Sequence, residues 1–340
     1  MDRTFKIIVV GCGGMANAWV NYVKERQDAE IVGLVDLNKE QALVFAAKHD
    51  LLAEVYVNLQ EAIDVTKANL VLDTTIPEAH KQITITALEA GCDVLGEKPM
   101  ATSLEDALIM LKTAEATGKS YAIMQNRRYL SKMKTFRTIV AEGHIGQIAS
   151  ANVDFFMGAH FGGFRDAMAH PLVLDMAIHT FDQARYLLGA DPISVYCHEY
   201  NPIGSWYEGH AAAICIFEMS NGSVLCYRGS WCAEGAPTSW EGDWRITGTQ
   251  GTAIWDGHGE PYYEIVKPVT EHVFMNTYEH LHLDPIIMEH EGHFGCLDDM
   301  FQALIDGRKA MTDCADNIKS MQMVFGAIES AQTGRKITIK

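Results

Sequence analysis

The chain has 340 residues and a mass of 37.7 kDa, more than one ordinary core needs and enough for two domains of about 100–200 residues each. Hydrophobic residues make up 48% and charged residues 21%, a globular balance that excludes wholesale disorder. Lys and Arg number 27 against 44 Asp and Glu, a formal charge of −17, which repels phosphate backbones and anionic lipid unless a local basic patch intervenes.

The densest basic runs, Asn126-Arg127-Arg128 and Gly307-Arg308-Lys309, are too short to be such a patch, so no nucleic-acid partner is expected. No stretch nears the roughly 20 apolar residues of a membrane span, and the N-terminus lacks the apolar core and cleavage site of a signal peptide. Eight cysteines are scattered without a C-x-x-C pair, which reads as reduced, mostly buried thiols. The expectation is a cytoplasmic protein that does not engage membranes.

In chain order, the first 125 residues alternate short apolar runs with helix-like stretches. Strands are predicted at 5–10, 30–35, 54–57, 70–73, 93–96 and 121–124, and helices at 15–25, 39–49, 80–90 and 104–117. In the last of these, Leu104, Ala107, Leu108 and Leu111 recur at helical spacing, with Ser103 as an N-cap. Alternating β and α units imply a parallel sheet covered by helices. After about residue 148 the pattern changes to strands at 148–157, 193–200, 210–219, 223–231, 243–249 and 252–255, with tight turns at Ser220-Asn221-Gly222 and Thr249-Gln250-Gly251. Within 223–231, Leu225, Tyr227 and Trp231 fall on one face and Val224, Cys226, Arg228 and Ser230 on the other, the alternation of a sheet with one covered face. Helices are expected at 172–188, 294–305 and 316–333. No internal repeat or low-complexity linker separates the halves, which makes the boundary near residue 125 a tight join.

The first predicted strand runs directly into Gly11-Cys12-Gly13-Gly14-Met15-Ala16 and a helix, a G-x-G-x-x-A pattern in the setting it requires. Gly11 permits the tight turn, Gly13 lets backbone approach a pyrophosphate, and Ala16 lets the helix pack closely on the strand. The free N–H groups and dipole at the helix start favour the diphosphate. Asp36 ends the second strand, where its carboxylate can accept from both adenosine ribose hydroxyls and repel a 2′-phosphate. Leu37 and Asn38 supply no arginine for such a phosphate, so NAD is expected in preference to NADP.

Two more groups carry chemistry. Glu97-Lys98-Pro99 follows the fifth strand, at the carboxyl edge where open α/β sheets bind ligands. Asp175, His179 and Asp182 fall at i, i+4 and i+7 in the predicted helix, one stripe. Oxidation of a secondary alcohol needs a base for the hydroxyl proton and a cation for the developing alkoxide. A histidine beside a carboxylate fits the first need, and a lysine at the cofactor edge the second. The reading requires the Lys98 ammonium and the His179 imidazole to serve the same carbinol.

With these residues in place, the sequence resembles the family named after glucose–fructose oxidoreductase, inositol dehydrogenase and a rhizopine-catabolism protein (Gfo/Idh/MocA). The matching pieces are Gly11 to Ala16, Thr75-Ile76-Pro77 with His80, Glu97-Lys98-Pro99, Gln125-Asn126-Arg127-Arg128, the Asp175, His179, Asp182 series and the tail 312–335. The resemblance implies an N-terminal Rossmann doubly wound parallel sheet at 1–125, binding the dinucleotide. It further implies a C-terminal α/β domain at 126–340 with an open, mostly antiparallel sheet, binding substrate and joining subunits, the closing helices packing back on the first domain. It implies an NAD-dependent dehydrogenase acting on a ring hydroxyl of a sugar, glycoside or inositol. Lys98 would contact nicotinamide and the reacting hydroxyl, His179 would be the acid/base, and Asp175 would orient substrate or histidine. Gly11, Gly13, Gly14, Met15, Ala16, Asp36, Thr74, Thr75, Pro77, His80, Glu97, Lys98 and Asn126 would line the dinucleotide. Lys98, Arg127, Arg165, His170, Asp175 and His179 would meet the substrate, and the Lys98–Pro99 bond would be cis. The chain departs from the family pattern at Ala167-Met168-Ala169-His170-Pro171, which stands where glycines are usual and gives His170 and Met168 access to the substrate side.

Two rival functions share these residues: a glycosidase that retains NAD and works by transient oxidation and elimination, and a non-catalytic NAD-binding regulator. His272, His280, His282, His290 and His293 crowd one stretch, but H-x-x-H is not the H-E-x-x-H of a helical zinc site, so no metal is expected. Trp206, Trp231, Trp240, Trp244 and Trp255 could stack on sugar rings, with sheet packing or subunit contact the alternative; Trp231 and Trp240 flank a Gly- and Pro-containing loop. An uncovered sheet bearing tryptophans implies a homo-oligomer, dimer or tetramer.

Overall fold

Each apolar run of the first third is followed by a helix that returns the chain to the same edge, so the strands align in parallel. The computed structural model describes residues 4–268 and 273–339. It places β1 (Phe5–Val10), α1 (Ala16–Glu25), β2 (Ala29–Val35), α2 (Lys39–Lys48), β3 (Glu54–Tyr56), α3 (Leu59–Thr66), β4 (Leu70–Asp73), α4 (Pro77–Glu89), β5 (Asp93–Gly96), α5 (Leu104–Thr117) and β6 (Tyr121–Ile123) in succession. The strands form one sheet in the order β3-β2-β1-β4-β5-β6, every pair parallel. The order reverses between β1 and β4, and outside their carboxyl ends a doubly wound sheet leaves its ligand crevice. Ile7, Ile8 and Val9 of the central strand are fully buried. The Ser103 hydroxyl accepts from the Asp106 N–H at 3.1 Å, the expected cap of α5. Helix α3 is not among the expected helices; its Asn58 side chain accepts from the Glu61 N–H at 2.9 Å.

The second architecture comprises α6 (Ser131–Ala141), β7 (Ile148–Phe156), a π-helical turn (Pro171–Ala177), α7 (Ile178–Leu188), β8 (Pro192–Tyr200), β9 (Ala212–Met219), β10 (Val224–Ser230), β11 (Asp243–Gly248), β12 (Gly251–Trp255), β13 (Tyr262–Val266) and β14 (Tyr278–Leu281). Helices α8 (Gly292–Asp306) and α9 (Cys314–Thr333) and the two-residue β15 (Ile337–Thr338) close the chain. The nine-stranded sheet runs β14-β13-β12-β11-β7-β10-β9-β8-β15. It is antiparallel except where β7 lies parallel to β10. Leu225 and Tyr227 point inward and are fully buried. Phe181 of α7 packs edge-on against Phe217 at 4.9 Å and Tyr227 at 5.3 Å. The opposite face exposes Ile193, Tyr196, Tyr200, Ile214 and Ile216.

The chain folds into two compact units: Met1–Asn126 with Glu289–Met321, and Arg127–Met288 with Gln322–Lys340. In the first, α8 returns to α1, where Phe301 meets Phe5 edge-on at 5.1 Å and Arg26 stacks 4.4 Å from the Phe301 ring centre. In the second, Arg128 and Asp182 form a buried two-point pair, Nε to Oδ2 and Nη2 to Oδ1, both at 2.6 Å. Removing one partner would strand a buried charge at a cost of about 3–5 kcal/mol. Asp182 therefore faces inward to Arg128. No helix among the described residues is long and apolar enough to cross a membrane, and all eight cysteines are free thiols.

Candidate active site

Gly11 sits at φ +87°, and a Cβ there would lie 2.9 Å from the Thr74 carbonyl oxygen and from Thr75 Cα. Both the left-handed backbone and the close approach of the β4 loop demand glycine. At Gly13 and Gly14, by contrast, nothing lies within 4 Å of an added Cβ, so these two glycines border open space in front of α1. No side chain caps that helix, which leaves the start of α1 suited to an anion. Met15 is half-exposed and Ala16 fully buried.

The Asp36 carboxylate closes the turn from β2. Its Oδ2 accepts from the Cys12 N–H and its Oδ1 from the Asn38 N–H, both at 2.8 Å. An ionised carboxylate offers about four lone-pair sites, so two backbone donors fix the group and leave acceptors for ribose hydroxyls. These open-space glycines, the uncapped helix and the anchored acid fit a dinucleotide. Burial and then the Asp36 charge push the Cys12 thiol up to about 12, a packing thiol and no nucleophile.

The loop after β4 is organised by Asp73. Its Oδ1 accepts from the Thr75 N–H at 3.1 Å and hydroxyl at 2.6 Å, while Oδ2 pairs with His80 Nδ1 at 2.9 Å. The Thr74 hydroxyl donates to the Gly11 carbonyl at 2.7 Å, and Pro77 opens α4. His80 is 1% exposed, so it supports this loop from behind.

At the end of β5 the Lys98–Pro99 bond is cis and Lys98 is partly buried. Glu97 is buried, accepting from Trp19 Nε1 at 2.7 Å on one oxygen and from the Lys98 N–H at 3.3 Å on the other. The carboxylate thus ties the Lys98 backbone to α1. Trp19 escapes a reading of the sequence because a buried aromatic at helical spacing looks like ordinary core. Asn126 Nδ2 lies 3.4 Å from His293 Nδ1, an acceptor only while unprotonated.

In the second unit, Asp175 lies in the π-helical turn and His179 in the first turn of α7. Wound more widely than an α-helix, such turns are frequent at functional sites, and this one replaces the uniform helix expected over 172–188. Arg165 Nε donates to Asp175 Oδ2 at 2.8 Å, so Arg165 and Asp175 act as a pair. His170 Nδ1 lies 2.8 Å from Glu199 Oε2, whose side chain is fully buried. Glu199 had a signal in the sequence: it falls in phase with the inward-facing Val195 and Cys197 of β8.

Arg127 donates to the Trp240 carbonyl, pairs with Glu241 at 3.5 Å and reaches Met176 Sδ at 3.6 Å. Burial pulls its guanidinium down and pushes the Glu241 carboxyl up, each opposed by the other's charge. Trp231 is buried, ringed by Phe161 at 4.8 Å, Trp240 at 6.3 Å and Phe155 and Tyr207 at 6.4 Å. Trp244 and Trp255 are core residues and Trp206 stacks on His160 at 3.7 Å.

The crowded histidines disperse. His290 Nδ1 pairs with Asp298 at 2.9 Å, His293 faces Asn126, and His280 Nε2 of β14 meets His282 Nε2, just past the strand, at 3.1 Å. His272 lies outside the described residues. Among the described residues no three ligand-type side chains form a metal site.

The glycine turn, the anchored acid and the strand order define the first unit as a dinucleotide-binding α/β domain. The chain belongs to the Gfo/Idh/MocA oxidoreductases. Residues 5–125 match the model of the oxidoreductase family with an NAD-binding Rossmann fold, and residues 133–254 match the GFO/IDH/MocA C-terminal domain. The uncharacterized protein y4oX of Sinorhizobium fredii is 27% identical over 350 residues, covering 99% of this chain and 96% of that one. Glucose-6-phosphate 3-dehydrogenase of Bacillus subtilis is 31% identical over 197 residues, 56% of this chain and 55% of that one. In fold, the chain is similar to an oxidoreductase from Agrobacterium radiobacter in complex with NAD+, L-tartaric acid and magnesium. The TM-score is 0.85 at 21% identity, with 98% of each chain covered.

Proposed function

We propose that the protein is an NAD-dependent dehydrogenase that oxidises a secondary ring hydroxyl of a sugar, glycoside or inositol. The observation that carries this reading is the placement of Lys98 at the carboxyl end of β5, in the same sheet whose β1 end forms the glycine turn. The B. subtilis relative, by its name, oxidises a sugar, which supports the substrate class. When bound, NAD supplies the hydride acceptor. Lys98 stabilises negative charge growing on the substrate oxygen, and His179 accepts the hydroxyl proton. Asp175, held by Arg165, and His170, held by Glu199, present hydrogen-bonding groups to the substrate. Asp36 favours NAD over NADP, since a 2′-phosphate would meet its carboxylate.

The apolar outer face of the large sheet, with Ile214 and Ile216 among its exposed residues, supports a homo-oligomer formed through that face. The experiment that tests the function is a screen of NADH formation over monosaccharides, glycosides and inositols with the full chain. Reduction of NAD by at least one of them is the expected result. Release of a free aglycone without net NADH would identify the NAD-retaining glycosidase instead. NAD binding with no turnover of any member would identify the regulator.

A further inference from the structure

One circuit of contacts in the second unit begins and ends at the Asp175 turn. Arg165, bonded to Asp175, lies over two rings, 5.1 Å from the centre of Phe161 and 4.8 Å from that of Phe164. Phe161 leans on Trp231 and Trp231 meets Trp240 edge-on. The Trp240 carbonyl is held by Arg127, which reaches back to Met176, the neighbour of Asp175. Trp231 and Phe155 are the buried floor, while Phe161, Phe164 and Trp240 stand 47%, 61% and 44% exposed. Three large aromatic side chains left in water beside one charged pair mark a binding surface.

The charges say what would bind there. Both guanidinium groups of the circuit are committed to carboxylates, Arg165 to Asp175 and Arg127 to Glu241. Within the circuit, a phosphorylated or carboxylated ligand would meet two acids and two arginines already paired with them. A neutral polyol gains hydrogen bonds from the Arg165–Asp175 pair, and a flat apolar ring gains contact with Trp240 and Phe161.

We propose that this aromatic circuit is a subsite for the second ring of an uncharged glycoside, so that the substrate is a neutral glycoside and not a phosphosugar or a free monosaccharide. The inference rests on the dehydrogenase reading for the sugar it assumes, and it separates this chain from the relative named for glucose 6-phosphate.

The test is equilibrium binding of phenyl β-glucoside, glucose and glucose 6-phosphate to the full chain saturated with NAD, alongside NADH formation from each. Phenyl glucoside should bind more tightly than glucose by about three- to tenfold, the worth of one aromatic contact, and glucose 6-phosphate should bind most weakly. Trp240→Ala should erase that preference, and Phe161→Leu, which retains most of the side-chain volume, should reduce it. Tightest binding of glucose 6-phosphate, no binding of phenyl glucoside, or a preference that survives both substitutions would overturn the subsite, even if some sugar still reduces NAD. Binding in the expected order with no NADH from any of the three leaves the subsite standing, and the wider screen of monosaccharides, glycosides and inositols then decides the dehydrogenase reading.

Discussion

The glycine turn after β1 and the aromatic circuit proposed as a sugar subsite around Asp175 are built by opposite means. The turn works with backbone: Gly11 in the left-handed region, Gly13 and Gly14 bordering open space, and a carboxylate fastened to two N–H groups. A side chain would collide at the first glycine and fill the open space at the other two, so the solution is written in a short contiguous motif. The circuit works with side chains drawn from short 3-10 turns at residues 127 and 163–165, from loop positions 161, 231 and 240, and from a π-helical turn. Its specificity resides in which rings are exposed and which charges are already paired. Recognition of a constant dinucleotide suits the first design, and recognition of one sugar among many suits the second.

The largest expected effect would break this division of labour. Lys98→Ala and His179→Ala should each lower kcat by about 10²–10⁴, the usual worth of a proton-transfer or charge-stabilising group, while the NAD dissociation constant changes little. Steady-state kinetics with calorimetric NAD binding check this, and an unchanged kcat in either variant defeats the role given to that residue.

A smaller effect tests whether α1 helps to place the lysine. Trp19→Phe removes the donor to Glu97 and leaves a buried carboxylate oxygen short of a partner, worth about 1–3 kcal/mol. We expect kcat to fall by up to about tenfold and its pH profile to shift, with KM for the sugar nearly constant. A purely structural role would lower Tm and leave that profile in place.

The smallest effect concerns Cys12. With the thiol raised from 9.0 to about 12, iodoacetamide at pH 8 should leave Cys12 unmodified in the folded protein, as read by peptide mass spectrometry. Because the unfolded chain releases this proton first, the group withdraws stability as pH rises from 9.0 towards about 12. Rapid alkylation at pH 8 would mean that the glycine turn opens to solvent.

These two designs also explain what is legible in the sequence. The whole of β1, β4 and β5 can be bounded to the residue, because short apolar runs ending in Gly or Asp have sharp edges. Lys98, Asp36 and the three turn glycines are readable because each occupies a fixed offset from a strand end. Helix α3 escapes although Asn58 and Glu61 carry an N-cap signature; eight residues give little periodicity. Helix α6 has Met133, Phe136, Ile139 and Val140 at helical spacing, but the charged Lys and Arg between them obscure the stripe. Strand β14 lies at the sheet edge and β13 beside it, where exposure weakens the alternation. Pairings such as Arg165 with Asp175, His170 with Glu199 and Trp19 with Glu97 join residues 10, 29 and 78 positions apart. No local pattern announces them.

The two-residue strand β15 has a practical consequence. Ile337 and Thr338 pair with Val195 and Ser194 along the outer border of β8, and the Ser330 hydroxyl links the Cys197 N–H to the Arg335 carbonyl just before them. Trimming the last five residues would bare that border's unpaired donors and acceptors, the template on which foreign strands accrete. A purification handle or fusion partner is therefore better placed at the opposite terminus, and loss of solubility on C-terminal shortening would trace to this seam and not to the core.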